Sequence, residues 1–212
     1  MKKYIQEFKP AEIGFVNKTD EKSEAPVIVL SMPEENIRPA DTYPEIRRSS
    51  DLRKILPLED DDPYFRKYGN MIKELKGDDD QKLFLYEIQS PFLILKDLLD
   101  KSRNSGRIYE YLTLDPYSVL LAQDSICVDL INIAVRCMLD GRADGVCLKV
   151  SGDELVSDEE YQKFIAPVET HFLDEMNRFG ERHILRIHGG AGVKNYDGYP
   201  AAVVIMDIDE YL

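Results

Sequence analysis

Three segments decide the fold class: Ala143-Asp144-Gly145-Val146-Cys147-Leu148-Lys149-Val150, then Ser157-Asp158-Glu159-Glu160, then His183-Ile184-Leu185-Arg186-Ile187-His188. The first and third are apolar runs of strand length. Between them, Ser157 and Glu160 form a capping box, each satisfying a backbone donor that a helix start leaves orphaned. Tyr161, Phe164, Ile165, Val168, Phe172 and Met176 recur at helical spacing, which predicts one helix to about Phe179, ended by Gly180. Ala202-Val203-Val204-Ile205-Met206-Asp207 supplies a further strand. Strands that alternate with helices pair in parallel, so the class is α/β.

The same alternation extends toward the N-terminus. Lys82-Leu83-Phe84-Leu85-Tyr86-Glu87-Ile88 is nearly continuous in apolar residues, as a strand covered on both faces would be. Gln89-Ser90-Pro91 breaks it, and residues 92–99 read as a helix. Asp115-Pro116 opens the longest helix, about 116–140: Asp115 caps it, Pro116 takes its first position and Gly141 stops it. Leu120, Cys127, Ile131, Ala134 and Met138 form its stripe, with Asp124 at the edge. A helix is predicted over 63–76, between Asp62 and Gly77, and a strand at Pro26-Val27-Ile28-Val29-Leu30. Residues 33–50, with three prolines, read as loop. Glu59-Asp60-Asp61-Asp62 reads as helix N-terminal charge and solvated loop.

Composition narrows the function. The chain has 212 residues, with 40 acidic and 27 basic side chains, for a net charge of −13. That length suits a single domain over 1–212 with a good core, and 43% hydrophobic residues exclude a disordered chain. The charge argues against broad binding to nucleic acid or anionic membrane, since both would repel it. No apolar run approaches the roughly 20 residues of a membrane helix, and no signal peptide follows Met1. Cys127, Cys137 and Cys147 make neither a disulfide framework nor a Cys-x-x-Cys pair, so a cytoplasmic location is expected.

Parallel α/β folds bind ligands at the carboxyl ends of their strands. Here those ends are Gln89-Ser90-Pro91, Ser151-Gly152-Asp153-Glu154, His188-Gly189-Gly190 and Asp207-Ile208-Asp209. His188 is the main catalytic candidate. An imidazole before two glycines can meet a ligand closely, or it can simply bond a neighbouring loop. His183 lies at the opposite strand end and reads as structural; His171 lies within a helix and reads as exposed. Gly189-Gly190-Ala191-Gly192 lacks the Lys-Ser/Thr of a nucleotide loop. Ser151 lacks a Gly-x-Ser-x-Gly frame, so it is a hydrogen-bonding candidate, not a nucleophile. Each cysteine reads as a buried small hydrophobe, and no metal site or cofactor is expected from them.

The order of these segments resembles the uroporphyrinogen decarboxylase superfamily, which includes corrinoid methyltransferases. The resemblance covers about residues 44–188. Pro44-Glu45-Ile46-Arg47-Arg48-Ser49-Ser50-Asp51-Leu52 is similar to the stretch before that family's first connecting helices. Leu85 to Phe92 is similar to its strand ending in a Ser/Ala-Pro turn. Asp115-Pro116 through Gly145 is similar to its long helix and following strand start. Ser157-Asp158-Glu159-Glu160-Tyr161-Gln162-Lys163-Phe164-Ile165-Ala166-Pro167 is similar to its Ser-Pro-Glu-x-Tyr-x-x-Phe-x-x-Pro segment, the most specific match.

The resemblance implies a TIM-type (β/α) barrel, partial or shortened here, with the site at the strand ends. It implies either cofactor-free decarboxylation of acidic tetrapyrroles or zinc-assisted methyl transfer from a corrinoid. The family's N-terminal arginine motif has no counterpart. Where the methyltransferases have His-x-Cys, this chain has Arg186 and His188, and a guanidinium cannot ligate zinc. Substoichiometric zinc is therefore expected. The resulting expectation is a member of this superfamily by fold, its activity left open; if it is an enzyme, His188 transfers a proton or contacts the ligand, with Ser151, Arg186 and Ser90 binding substrate. The alternative is a catalytically reduced scaffold that binds a ligand or partner and is completed by a homo-oligomer contact or another chain.

Overall fold

The structure is a computed structural model that describes residues 13–16, 25–31, 43–76, 82–101, 106–151, 155–180, 183–188, 198–201 and 203–206. Six strands are described: β1 (Ile13–Val16), β2 (Val27–Ser31), β3 (Leu83–Gln89), β4 (Gly145–Ser151), β5 (Ile184–His188) and β6 (Val203–Met206). They form one sheet in the order β1-β2-β3-β4-β5-β6, every neighbouring pair parallel. A 3-10 turn (Ser49–Lys54) and α1 (Pro63–Lys76) cross from β2 to β3. The β3–β4 crossover carries α2 (Pro91–Lys101), α3 (Arg107–Leu114) and α4 (Pro116–Leu139). α5 (Asp158–Phe164) and α6 (Ala166–Asn177) join β4 to β5. Strand order that follows chain order, with crossovers of one hand, winds every helix onto the same face.

Strand alternation then divides the apolar side chains between two cores. Ile28, Leu30, Tyr86, Ile88, Val146, Leu148, Val150 and Leu185 face the helices in the main core. Ile13, Val27, Val29, Leu85, Cys147 and Ile184 form a second cluster on the other face. That cluster joins β1 to β5. In a flat sheet these strands would lie about 19 Å apart, at ~4.8 Å per step, so the sheet is curled into a half-barrel with the second cluster inside.

α4 is the hub of the helical layer. Its N-terminus is fixed by Asp115, whose carboxylate accepts from the Ser118 hydroxyl at 2.7 Å and from the Ser49 hydroxyl at 3.1 Å. Arg53 Nε donates to Ser118 Oγ at 2.7 Å, which fastens the 3-10 turn to the same cap. The buried side chains of α4 include Val119, Ala122, Ile126, Cys127, Leu130, Ile133, Ala134 and Cys137. Leu120, Ile131 and Met138, expected on the main stripe, lie at its partly buried margins. α4 is also the one described helix long and apolar enough to cross a membrane, contrary to the expectation of none; more than half of its apolar window is buried in this fold.

Two other expectations are corrected, and two elements are added. The helix predicted to run unbroken to about 179 is divided at Ile165, because Pro167 has no N–H to continue the ladder and crowds the turn before it. The short strand β1 and helix α3 had no sequence reading. Gly141 is not the left-handed residue that ends α4; Arg142 is, at φ 60°. Gly141 is needed for close approach instead. A Cβ there would stand 2.6 Å from Cys137 O, 2.8 Å from Gly69 O and 2.9 Å from Ile72 Cβ. The strained Arg142 backbone is held by Lys76, whose Nζ donates to Arg142 O at 2.9 Å and to Asp144 Oδ2 at 2.8 Å. Asp144 also accepts from Phe84 N at 3.0 Å, so one ion pair ties α1, β3 and the start of β4 together.

Gly141→Ala should destabilise the fold by about 1–3 kcal/mol, because backbone on two sides must shift. Gly180→Ala, with open space around the added carbon, should stay within about 0.5 kcal/mol in the same urea titration.

Candidate functional site

The carboxyl half of the concave face is polar. Alternation along β3 puts Leu85, Glu87 and Gln89 on one face, and the register continues it through Cys147, Lys149 and Ser151 on β4 to Ile184 and Arg186 on β5. The apolar members lie toward the amino ends, and the polar members toward the carboxyl ends. Gln89, Lys149 and Arg186 are successive partners across three strands, and Ser151 is the partner of His188.

Arg186 is the centre of this layer. Its guanidinium makes a short ion pair with the buried carboxylate of Glu87, two strands away. It also lies over the Phe15 ring of β1, 4.1 Å from the ring centroid. Charge-assisted hydrogen bonding and the aromatic face together hold the planar guanidinium in one orientation. Lys149 is half-buried beside it and, among the described residues, has no acidic partner. Among the described residues, this part of the face carries two cations, Arg186 and Lys149, and one carboxylate, that of Glu87.

The candidates from sequence take different places. Arg186 and the buried Ser151 share the concave face. His188 ends β5 opposite Ser151, but its side chain lies outside what the structure describes, as do residues 152–154, 189–197 and 207–212 with their candidate loops. Ser90 goes elsewhere. It is fully buried, its N–H donates to Lys149 O at 2.7 Å, and its hydroxyl accepts from Leu93 N at the start of α2. That position serves the helix start on the convex side. Glu87 was missed by sequence reading, although an acid within an otherwise apolar buried strand was its signal. Among the described residues, no three His, Cys, Asp or Glu side chains converge as a metal site.

His183 is structural, as expected. Its Nδ1 accepts from Val146 N at 3.2 Å, which leaves Nε2 to donate to Gly180 O at 2.6 Å. Both ring nitrogens are used by a neutral imidazole, and burial holds its pKa below the usual range. His171 is exposed. The three cysteines are buried and unpaired with one another. Burial pushes the Cys127 thiol up to about 12 and raises that of Cys137 as well, so neither is a ready nucleophile.

Two outcomes test this arrangement. Arg186→Ala strands the Glu87 carboxylate and should cost roughly 3 kcal/mol, the low end for breaking a buried pair; adding Glu87→Gln should recover part of that in a denaturant double-mutant cycle. As for His183, its folded pKa is depressed, so below about pH 6.5 the unfolded chain takes up a proton that the folded chain refuses. Stability should fall as pH drops through that window, and His183→Gln should flatten the slope in melts from pH 7.5 to 5.5.

No family model matches this chain, and no curated protein matches it either.

Proposed function

We propose that this chain is a uroporphyrinogen decarboxylase-like domain of (β/α)-barrel type that binds a polycarboxylated tetrapyrrole at the carboxyl ends of its strands. The observation that carries the reading is the juxtaposition of Lys149 and Arg186, cross-strand partners on the concave face. Two adjacent cations at the strand ends favour an anionic ligand, and the apolar floor beneath them strengthens each contact.

The strand register supports the barrel. In a TIM-type barrel the register slips by about one residue per strand, and each interior layer comes from alternate strands. Applied here, that slip sets Phe15 of β1, Glu87 of β3 and Arg186 of β5 at one height, and Arg186 contacts both of the others. The same slip puts Ile13, Leu85 and Ile184 in an apolar layer below them, and Val29 and Cys147 in another. Lys149 then stands above the charged layer, with Ser151 and His188 higher still.

In this reading Arg186 and Lys149 hold ligand carboxylates, Glu87 orients Arg186, Ser151 donates a hydrogen bond and His188 handles the proton. Methyl transfer, the family's other chemistry, is served less well: Arg186 occupies one of the thiol-zinc positions implied by the resemblance. A second reading, a non-catalytic scaffold completed by another chain, is favoured by one fact. Among the described strands, β1 and β6 each have one neighbour, so the sheet has two open edges.

Uroporphyrin titration, followed by its visible absorbance, decides between them. The wild type should bind uroporphyrin more tightly than the less acidic protoporphyrin, and Lys149→Gln should weaken binding roughly tenfold or more, the worth of one charged hydrogen bond. Absence of binding, or binding indifferent to Lys149→Gln, would overturn the tetrapyrrole reading and leave the scaffold.

A further inference from the structure

A cluster of titratable groups lies apart from the concave face. Glu169 of α6 is fully buried among the helices. Its Oε2 accepts from the Tyr161 hydroxyl of α5 at 2.5 Å and from the Tyr199 hydroxyl at 2.5 Å. The two phenol oxygens are themselves 2.8 Å apart. Tyr199 belongs to the segment 198–201 that leads into β6, and Asn177 of α6 clamps the same segment by donating to Pro200 O at 2.9 Å. The approach to β6 is thus tied to α6 by two polar contacts, one of them through an acid.

The other carboxyl oxygen, Oε1, is buried without a hydrogen-bond partner. Among the described residues, the surroundings offer it no positive charge. α5 contributes Tyr161, and α4 contributes the neutral thiol of Cys127, with Asp124 further out. α6 itself adds Glu175, and His171 is exposed beside Asp124. β4 turns Val146, Leu148 and Val150 toward the helices. Ser90, from the end of β3, is the one further hydroxyl nearby. A carboxylate here would hold its charge amid apolar side chains and other acids, with Ser90 the one further hydroxyl near it among the described residues and no donor in hydrogen-bonding geometry at Oε1. A neutral carboxyl group removes that charge: Oε2 still accepts both phenols, and the proton sits on Oε1, where the Ser90 hydroxyl is the nearby group that can receive it. Burial accordingly holds its pKa above the carboxylate range, against the effects of both tyrosines and Ser90.

We infer that Glu169, Tyr161 and Tyr199 form a proton-operated latch: the neutral carboxyl group holds segment 198–201 and the approach to β6 against α6, and ionisation releases them. Loss of the proton brings a buried charge that is relieved when Tyr199 leaves and water enters. The sign follows from linkage. An acid whose folded pKa is raised gives up stability as pH rises through that pKa, so the latch is closed at low pH and open at high pH. Its output is local, because β6 is a sheet edge that pairs only with β5 among the described strands.

Amide hydrogen exchange of the full chain, corrected for intrinsic pH dependence, tests the latch. Peptides covering residues 198–206 should lose protection at least tenfold between pH 6 and 9, while those covering β4 stay constant. Glu169→Gln, which keeps an acceptor but cannot ionise, should remain protected throughout. Tyr199→Phe, which keeps the ring but not the hydroxyl, should be poorly protected at both pH values. Protection unchanged in the wild type, lost equally in Glu169→Gln, or lost together with β4 would each overturn the latch.

Discussion

Arg186 of β5 stacks on Phe15 of β1 and pairs with Glu87 of β3. Side chains from these strands meet only if the sheet bends its edges toward each other, so curvature is the constraint to which the other features answer. Curvature gives the sheet an inside. That inside is too narrow for water at its amino end, where Val27, Val29, Leu85, Cys147 and Ile184 are fully or almost fully buried. The outside must then be covered by helices, and the one-way winding of the strands supplies them all on that face. The polar groups are left with the carboxyl mouth.

Two buried charge pairs sit at opposite ends of this arrangement and do different work. Lys76 and Asp144 hold the strained turn at Arg142 and set where β4 begins. Glu87 and Arg186 lie toward the other end, under the mouth. An ion pair that is taken out of water contributes little net stability, yet it fixes geometry strongly. At the amino end the fixed object is backbone; at the carboxyl end it is a guanidinium facing the place where ligands bind in such folds.

Much of this is legible in the sequence. Asp115, Pro116, the capping box at Ser157 and the bounds of α1 are local signals, and the structure has helices where those signals put them. The strands were read from apolar runs, and their parallel pairing from the intervening helices. β1 escaped because four residues including Gly14 carry too little pattern. α3 escaped although Ile108, Tyr111 and Leu112 mark one helical face. The break at Ile165 was overlooked because hydrophobic periodicity runs on through it, while Pro167 alone carries the signal. The site was legible only in part. Strand ends can be read from one segment, but the partnership of Glu87 with Arg186 spans 99 positions and depends on the curl. The Glu169 cluster was invisible for the same reason, since its three residues come from two helices and a connecting segment.

The agreement between strand order and chain order has a consequence for how the molecule is made. No described strand waits for a distant partner: each pairs with the one synthesised just before it and with the next to follow. Nothing has to be inserted between strands already joined. Parallel pairing still requires a crossover to close before each new ladder can form, and closing long loops is the slow part of such folds. The topology is therefore compatible with growth in steps from the first described strand to the last, each laid against a surface already present. A ribosome releasing the chain from its N-terminus delivers the pieces in that same order.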